Sequence, residues 1–303
     1  METDKMENEG NAENRILEIL DSFKIYDGVY KKEQVQAAIE LKDEITPHLI
    51  KILQGLFKNP DQYIENTTLY DHIYATMLLG HFKETGAHQL LVDIFSLPGE
   101  MPHEIYGEIC TSNLPILLLN TCGGSTDRIK SLVLNKNADD YIRVSACHAL
   151  AYAAVHDYIP RKEVVEFFGT LFTGNEAKEN SDFWGLLACV IWDLYPEENL
   201  EIIKKAYNDG LIDPAIIGYD DFEKALSIRK ENPLEALKDD LLRNSLDDLH
   251  KSMSWWSCFN EQKKDHYDSS FLSPEYKKSQ KEKMKTKKSK RKQAKASRKK
   301  NRR

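Results

Sequence analysis

The chain has 303 residues, 41% of them hydrophobic, with 42 Lys and Arg against 49 Asp and Glu and a formal net charge of −7. That content suffices for a large buried core, while the polar, acidic start Met1–Arg15 and the lack of an apolar run near the ~18 residues of a membrane span argue against an export signal or a spanning helix. The net charge conceals two opposed parts: residues 277–303 hold 16 of the 42 basic side chains against one acid, Glu282, a balance of +15 that leaves −22 on the first 276 residues.

In chain order, residues 1–13 read as a flexible N-terminus, and apolar spacing of helical period then runs from Ile16 to Leu249. Proline punctuates it. Thr46-Pro47 is expected to start a helix over His48 to Phe57, and Asn59-Pro60 to end it. Ile159-Pro160 and Tyr195-Pro196 each separate two helices, and Asn232-Pro233 opens another. When Ala75, Cys110, Ala146 and Ala188 are aligned, each follows an aromatic residue (Tyr70, Tyr106, Tyr141, Phe183) and precedes a bulky apolar one (Leu78, Leu114, Leu150, Ile191). A small residue recurring once per helical pair allows close helix approach, so residues 14–259 are predicted to be an all-α, HEAT-like α-solenoid of helical pairs. Trp255, Trp256 and Phe259 read as the cap that closes its last unit. Residues 260–276 read as a polar linker, and 277–303 as a disordered Lys/Arg-rich tail, too poor in apolar groups to offset the entropy of ordering.

Several segments carry a family resemblance. The stretch Asp139 to Leu150 resembles a HEAT repeat of the phycobilisome-lyase type. Glu44–Leu49, Phe95–Glu100, Cys122-Gly123-Gly124, Asp193–Glu198, Gly210–Pro214 and Trp255–Phe259, in that order, resemble the domain-of-unknown-function family 1186. The resemblance implies a helical solenoid and supplies no catalytic residue. Many members of that family end in a cysteine-rich SEC-C zinc motif, which is absent here because no cysteine follows Cys258.

Candidate chemistry is sparse. Cys110, Cys122, Cys147, Cys189 and Cys258 are far apart without a Cys-x-x-Cys pair, so they are expected to be reduced thiols, and neither a metal nor a cofactor is expected. The most site-like segment is Cys122-Gly123-Gly124, where glycines lead into a helix start that would hold an anion or activate the thiol; its rival reading is an ordinary C-cap and N-cap join. Adjacent carboxylates such as Asp139-Asp140, Glu197-Glu198 and Asp220-Asp221 read as helix starts. His148 and His156, two turns apart on one helix, are too distant to share a metal. The candidate polyanion contacts are Lys285, Lys287, Lys288, Lys290, Arg291, Lys292, Arg298, Lys299, Lys300, Arg302 and Arg303. No aromatic residue follows Tyr276, so contact would be to phosphate and independent of sequence.

These features predict a cytoplasmic protein, nuclear if the host is eukaryotic, that acts as a non-enzymatic scaffold binding a protein partner on its solenoid surface. One alternative is a nucleic-acid- or ribosome-associated accessory factor anchored to RNA or DNA by the basic tail. A second is an enzyme using Cys122.

Overall fold

A computed structural model of the chain describes residues 2–228 and 234–260. The basic residues of 277–303, the linker from 261 and the Asn232-Pro233 helix start lie outside the described residues. Among those described, the fold is all helical, with one isolated bridge between Ile25 and Leu69 and no other β structure. Met1–Trp256 is one compact unit, and Ser257 begins a second, whose described part is a 3-10 turn over Ser257–Phe259.

The helices are α1 (Glu2–Lys24), α2 (Lys32–Glu40), α3 (Lys42–Lys58), α4 (Pro60–Glu65), α5 (Asp71–Phe82), α6 (His88–Phe95), α7 (Met101–Tyr106), α8 (Ile109–Ser112), α9 (Leu114–Thr121), α10 (Asp127–Leu134), α11 (Asp140–Val155), α12 (Arg161–Gly169), α13 (Phe183–Asp193), α14 (Leu200–Asn208), α15 (Tyr219–Ile228), α16 (Glu235–Arg243) and α17 (Leu249–Met253). The prolines act largely as their chemistry requires: Pro60 opens α4, Pro160 is the N-cap of α12, and Pro196 stands between α13 and α14. Pro115 at the start of α9 cannot donate to the preceding turn, and the helix around Cys110 is accordingly split into α8 and α9.

Two expectations need correction. Pro47 does not start a helix: α3 begins at Lys42 and carries Pro47 inside it. The missing N–H would have served the carbonyl of Asp43, an exposed residue that water reaches, while the Thr46 hydroxyl donates to the Lys42 carbonyl at 2.7 Å. Trp255 does not close a core, being 71% exposed. At the other end, α1 starts upstream of Asn14, at Glu2.

The helices pack in two rows. In the first, α2, α5, α9, α11 and α13 follow one another side by side; in the second, α3, α6 and α10 back them, and α12 backs α11 and α13. A Lys130–Glu163 ion pair of 2.7 Å joins α10 to α12. The aligned small residues Ala75, Cys110, Ala146 and Ala188 are each fully buried, as are Leu78, Leu114, Leu150 and Ile191. Ala75, Ala146 and Ala188 lie on the first-row helices α5, α11 and α13, where a side chain without bulk lets neighbours approach closely, whereas Cys110 lies on the short α8 that precedes α9.

One buried charge fixes the loop between α12 and α13. Arg143, 1% exposed, donates from Nε to the Val133 carbonyl at 2.9 Å and from Nη1 to the Glu176 carbonyl at 2.8 Å and Asp140 at 3.0 Å. Its guanidinium lies 4.0 Å from the Phe183 ring centre. Glu176 in turn accepts from the backbone N–H groups of Thr173, Gly174 and Asn175 and from Trp184 Nε1. Three hydrogen bonds and the Phe183 ring compensate the guanidinium, so the charge is tolerated inside the core.

Candidate functional site

The first row has one face turned away from the second row, and the chain itself returns to cover it. After α15, residues 234–253 run back toward the N-terminal half: α16 packs on α11, and α17 packs on α5. This strap is an amphipathic segment whose Leu237, Leu241, Leu246, Leu249 and Met253 are buried, while Leu242 on the outer side of α16 is 74% exposed.

Three polar joints line the contact. On α11, the Tyr152 hydroxyl donates to Asp240 Oδ2 at 2.5 Å and accepts from Asn244 Nδ2 at 3.3 Å. On α5, His81 Nδ1–H donates to the Leu246 carbonyl at 2.6 Å, and Lys83 pairs with Asp247 at 3.2 Å across an exposed edge. At the N-terminal end, His250 receives the Tyr30 hydroxyl on Nδ1 at 2.9 Å and reaches Gln36 Oε1 from Nε2 at 3.1 Å. Gly80 marks the tightest point. A Cβ there would collide with Leu117 Cδ2 of α9 and sit 3.0 Å from Leu246 Cδ1 of the strap, so the missing side chain is what lets α5, α9 and the strap meet. Asn120 of α9 donates to the Gly80 carbonyl at 2.9 Å and ties the two row helices beneath that point.

The electrostatics of the face favour uncharged groups. Burial lowers the pKa of His148, against the opposing pull of Asp240. The Tyr152 phenol is pushed up by burial first and then by its bond to Asp240, and Tyr30 is raised mainly by burial. Burial also lowers His250, with Lys32 adding to the effect and Asp248 opposing it. The contact therefore consists of hydrogen-bonding groups set among leucines, with the Lys83–Asp247 ion pair at its exposed edge.

The Cys122 segment is built as a join. Cys122 is the C-cap of α9, Gly123 and Gly124 take φ of 59° and 88°, and Thr126 stands at the N-cap position of α10 without a side-chain capping hydrogen bond. The Cys122 thiol is buried and donates to the Leu119 carbonyl at 3.1 Å, and burial raises its pKa, opposite to the shift an activated nucleophile needs. Burial raises Cys189 likewise and Cys110 to about 12. Among the carboxylate pairs, Asp139 caps α11 by accepting from the Tyr141 N–H at 2.9 Å, and Asp220 and Asp221 lie in the first turn of α15. His148 is partly buried and feels the charge of Asp240 on the strap, whereas His156 is exposed and stacks on Tyr158 at 5.5 Å. Among the described residues, no three metal-binding side chains converge, and no helix is long and apolar enough to cross a membrane.

Sequence reasoning missed the return of the strap. The leucine pair Leu237 and Leu241 signals an amphipathic helix, but nothing in that period says which surface it covers.

The model of the family described as "Protein of unknown function (DUF1186)" matches residues 14–260. An uncharacterized protein of Chlamydia trachomatis serovar D is 32% identical over 75% of this chain and 92% of its own length. One from Chlamydia muridarum is 30% identical over 77% of this chain and 93% of the relative. No solved structure matches. With its two helical rows lying almost wholly inside the matched span, the chain belongs to the DUF1186 family.

Proposed function

We propose that this protein is a non-enzymatic scaffold that holds a polypeptide partner on the surface of its helical rows. The observation that carries this reading is the front face of the first row. It binds a polypeptide already, residues 234–253 of the same chain, through the hydroxyl of Tyr152 and the imidazole of His81. Helical rows of this kind offer extended faces, and the acidic balance of the first 276 residues favours partners with basic segments along their rims. The thiols of Cys110, Cys122 and Cys189 are shifted away from reactivity, which supports binding over nucleophilic catalysis. The test is affinity capture with the full chain, comparing His148→Ala and Tyr152→Ala on the front face with Lys162→Glu on the second row. Partners lost with the front-face substitutions and kept with Lys162→Glu support the reading; identical partner sets for all three overturn it.

A second reading rests on the charge reversal at residues 277–303. Such a segment neutralises phosphates and releases counterions, and would anchor the scaffold to RNA or DNA. Fluorescence anisotropy across a salt series, with the full chain and one ending at Tyr276, decides it: salt-sensitive binding must vanish with the tail.

A further inference from the structure

The strap differs from a structural closure in how it is attached. A segment that only sealed the first row would do so best with apolar side chains, because polar groups carried into a contact cost desolvation and return mainly selectivity. The observed contact has hydrogen bonds to Tyr152, His81 and Tyr30 distributed along its length. The first-row helices α5, α9, α11 and α13 also touch one another directly, without the strap between them. The segment also leaves α15 after the last helix of the rows and re-enters over helices that precede it by 80 residues or more in the chain. Its five buried apolar side chains must offset the ordering of about 20 residues, a balance that makes local opening easier than opening of the rows.

We propose that the strap is a displaceable occupant of the front face, and that the partner it stands in for is an amphipathic helix with its chemistry: leucines at i and i+4, as Leu237 and Leu241, a carboxylate at i+3, as Asp240, and an amide at i+7, as Asn244. This rests on the scaffold reading above and names the partner class. The leucines are buried where α16 packs on α11, the Asp240 carboxylate accepts the Tyr152 hydroxyl, and the Asn244 amide donates to that hydroxyl oxygen. A covalently linked strap competes at an effective concentration in the millimolar range, on the order of 1 mM, so the closed chain binds an external helix weakly until the strap is loosened.

The experiment uses a fluorescent peptide of residues 234–254 titrated into the full chain. Wild type is compared with the double variant Leu237→Asp and Leu241→Asp and, as a milder loosening, Asn244→Ala. Amide exchange in α11 reports whether each variant keeps its rows. The loosened chains should bind the peptide about tenfold or more tighter than wild type, and adding Tyr152→Phe should remove most of that gain. In wild type, amides of α16 and α17 should exchange about 100-fold faster than those of α11. Equal peptide binding by loosened and wild-type chains overturns the inference, as does exchange of strap and α11 at one rate. If the inference fails while front-face substitutions still abolish partner capture, the scaffold reading stands and only its strap is misassigned. If capture is also unaffected by those substitutions, both fail.

Discussion

Helices α11 and α16 lie against each other and are built on opposite plans. In α11, twelve residues are buried, from Ile142 to Ala154, and the helix is enclosed by α9, α10, α12, α13 and α16. In α16 two residues are buried, Leu237 and Leu241, Asp240 is half-buried against Tyr152, and the other side chains are exposed. A helix enclosed on all sides shares its stability with the whole unit, whereas one held by a single stripe can leave without dismantling its neighbours. The difference teaches that burial within one unit divides into a part that defines the fold and a part that merely rests on it.

The largest expected effect falls in the enclosed part. Arg143→Ala leaves the carbonyls of Val133 and Glu176 without their donor and empties the space against Phe183. It should cost about 4 kcal/mol in urea unfolding, with every helix lost in one transition. A cost below about 1 kcal/mol would show that the loop holds itself and that α11 is less central than its burial implies. Next comes the junction at Gly80. Gly80→Ala gains about 1 kcal/mol of helix propensity but forces Leu117 and Leu246 aside, for a net loss of about 2 kcal/mol. Because Leu246 belongs to the strap, exchange should rise first in α16 and α17.

How much of this was legible in the sequence follows the same division. The small residues Ala75, Cys110, Ala146 and Ala188, aligned from the sequence, all prove fully buried, because a small apolar side chain inside a helical period signals a close-packed face. Pro60, Pro160 and Pro196 mark boundaries because a missing N–H acts locally. Pro47 misled because in the second turn its missing bond concerns one exposed carbonyl, which solvent satisfies. Trp255 misled because size alone does not reveal burial. The front face was not legible at all: Tyr152 and Asp240 are 88 residues apart, and no local pattern announces that they meet. Arg143 was equally hidden, since an arginine within Asp-Tyr-Ile-Arg-Val-Ser reads as a solvent-facing residue until its acceptors are known.

A third effect belongs again to the rows. His88 donates from Nδ1 to the Thr121 hydroxyl at 2.9 Å, while its Nε2 is buried without a hydrogen-bond partner. Burial, with a contribution from Arg128, lowers its pKa from 6.5 to about 4. The folded state therefore resists a proton that the unfolded chain accepts, and stability falls as the pH drops from 6.5 toward 4. The loss attributable to His88 should reach about 2 kcal/mol by pH 5. His88→Gln should flatten the slope of stability against pH between 7 and 5 relative to wild type. An unchanged slope would show that the acid sensitivity resides elsewhere, with His148 and His250 at the strap the next groups to substitute.

The smallest effect, that of Leu241→Ala, is the sharpest probe of the comparison when set against a leucine of α11. Leu150 on α11 is fully buried and Leu241 on α16 is 8% exposed, so the two leucines differ little in burial. They differ in what surrounds them. Leu150→Ala leaves a cavity in a region closed on every side and should cost about 3 kcal/mol, accelerating amide exchange throughout the unit. Leu241→Ala removes an anchor from a helix whose outer side faces solvent, where the strap settles into the space. It should cost about 1 kcal/mol and accelerate exchange in α16 and α17 while leaving α11 unchanged. If Leu241→Ala speeds α11 as much as α16, the strap and the rows unfold together, and covering the front face is then part of what makes the rows stable.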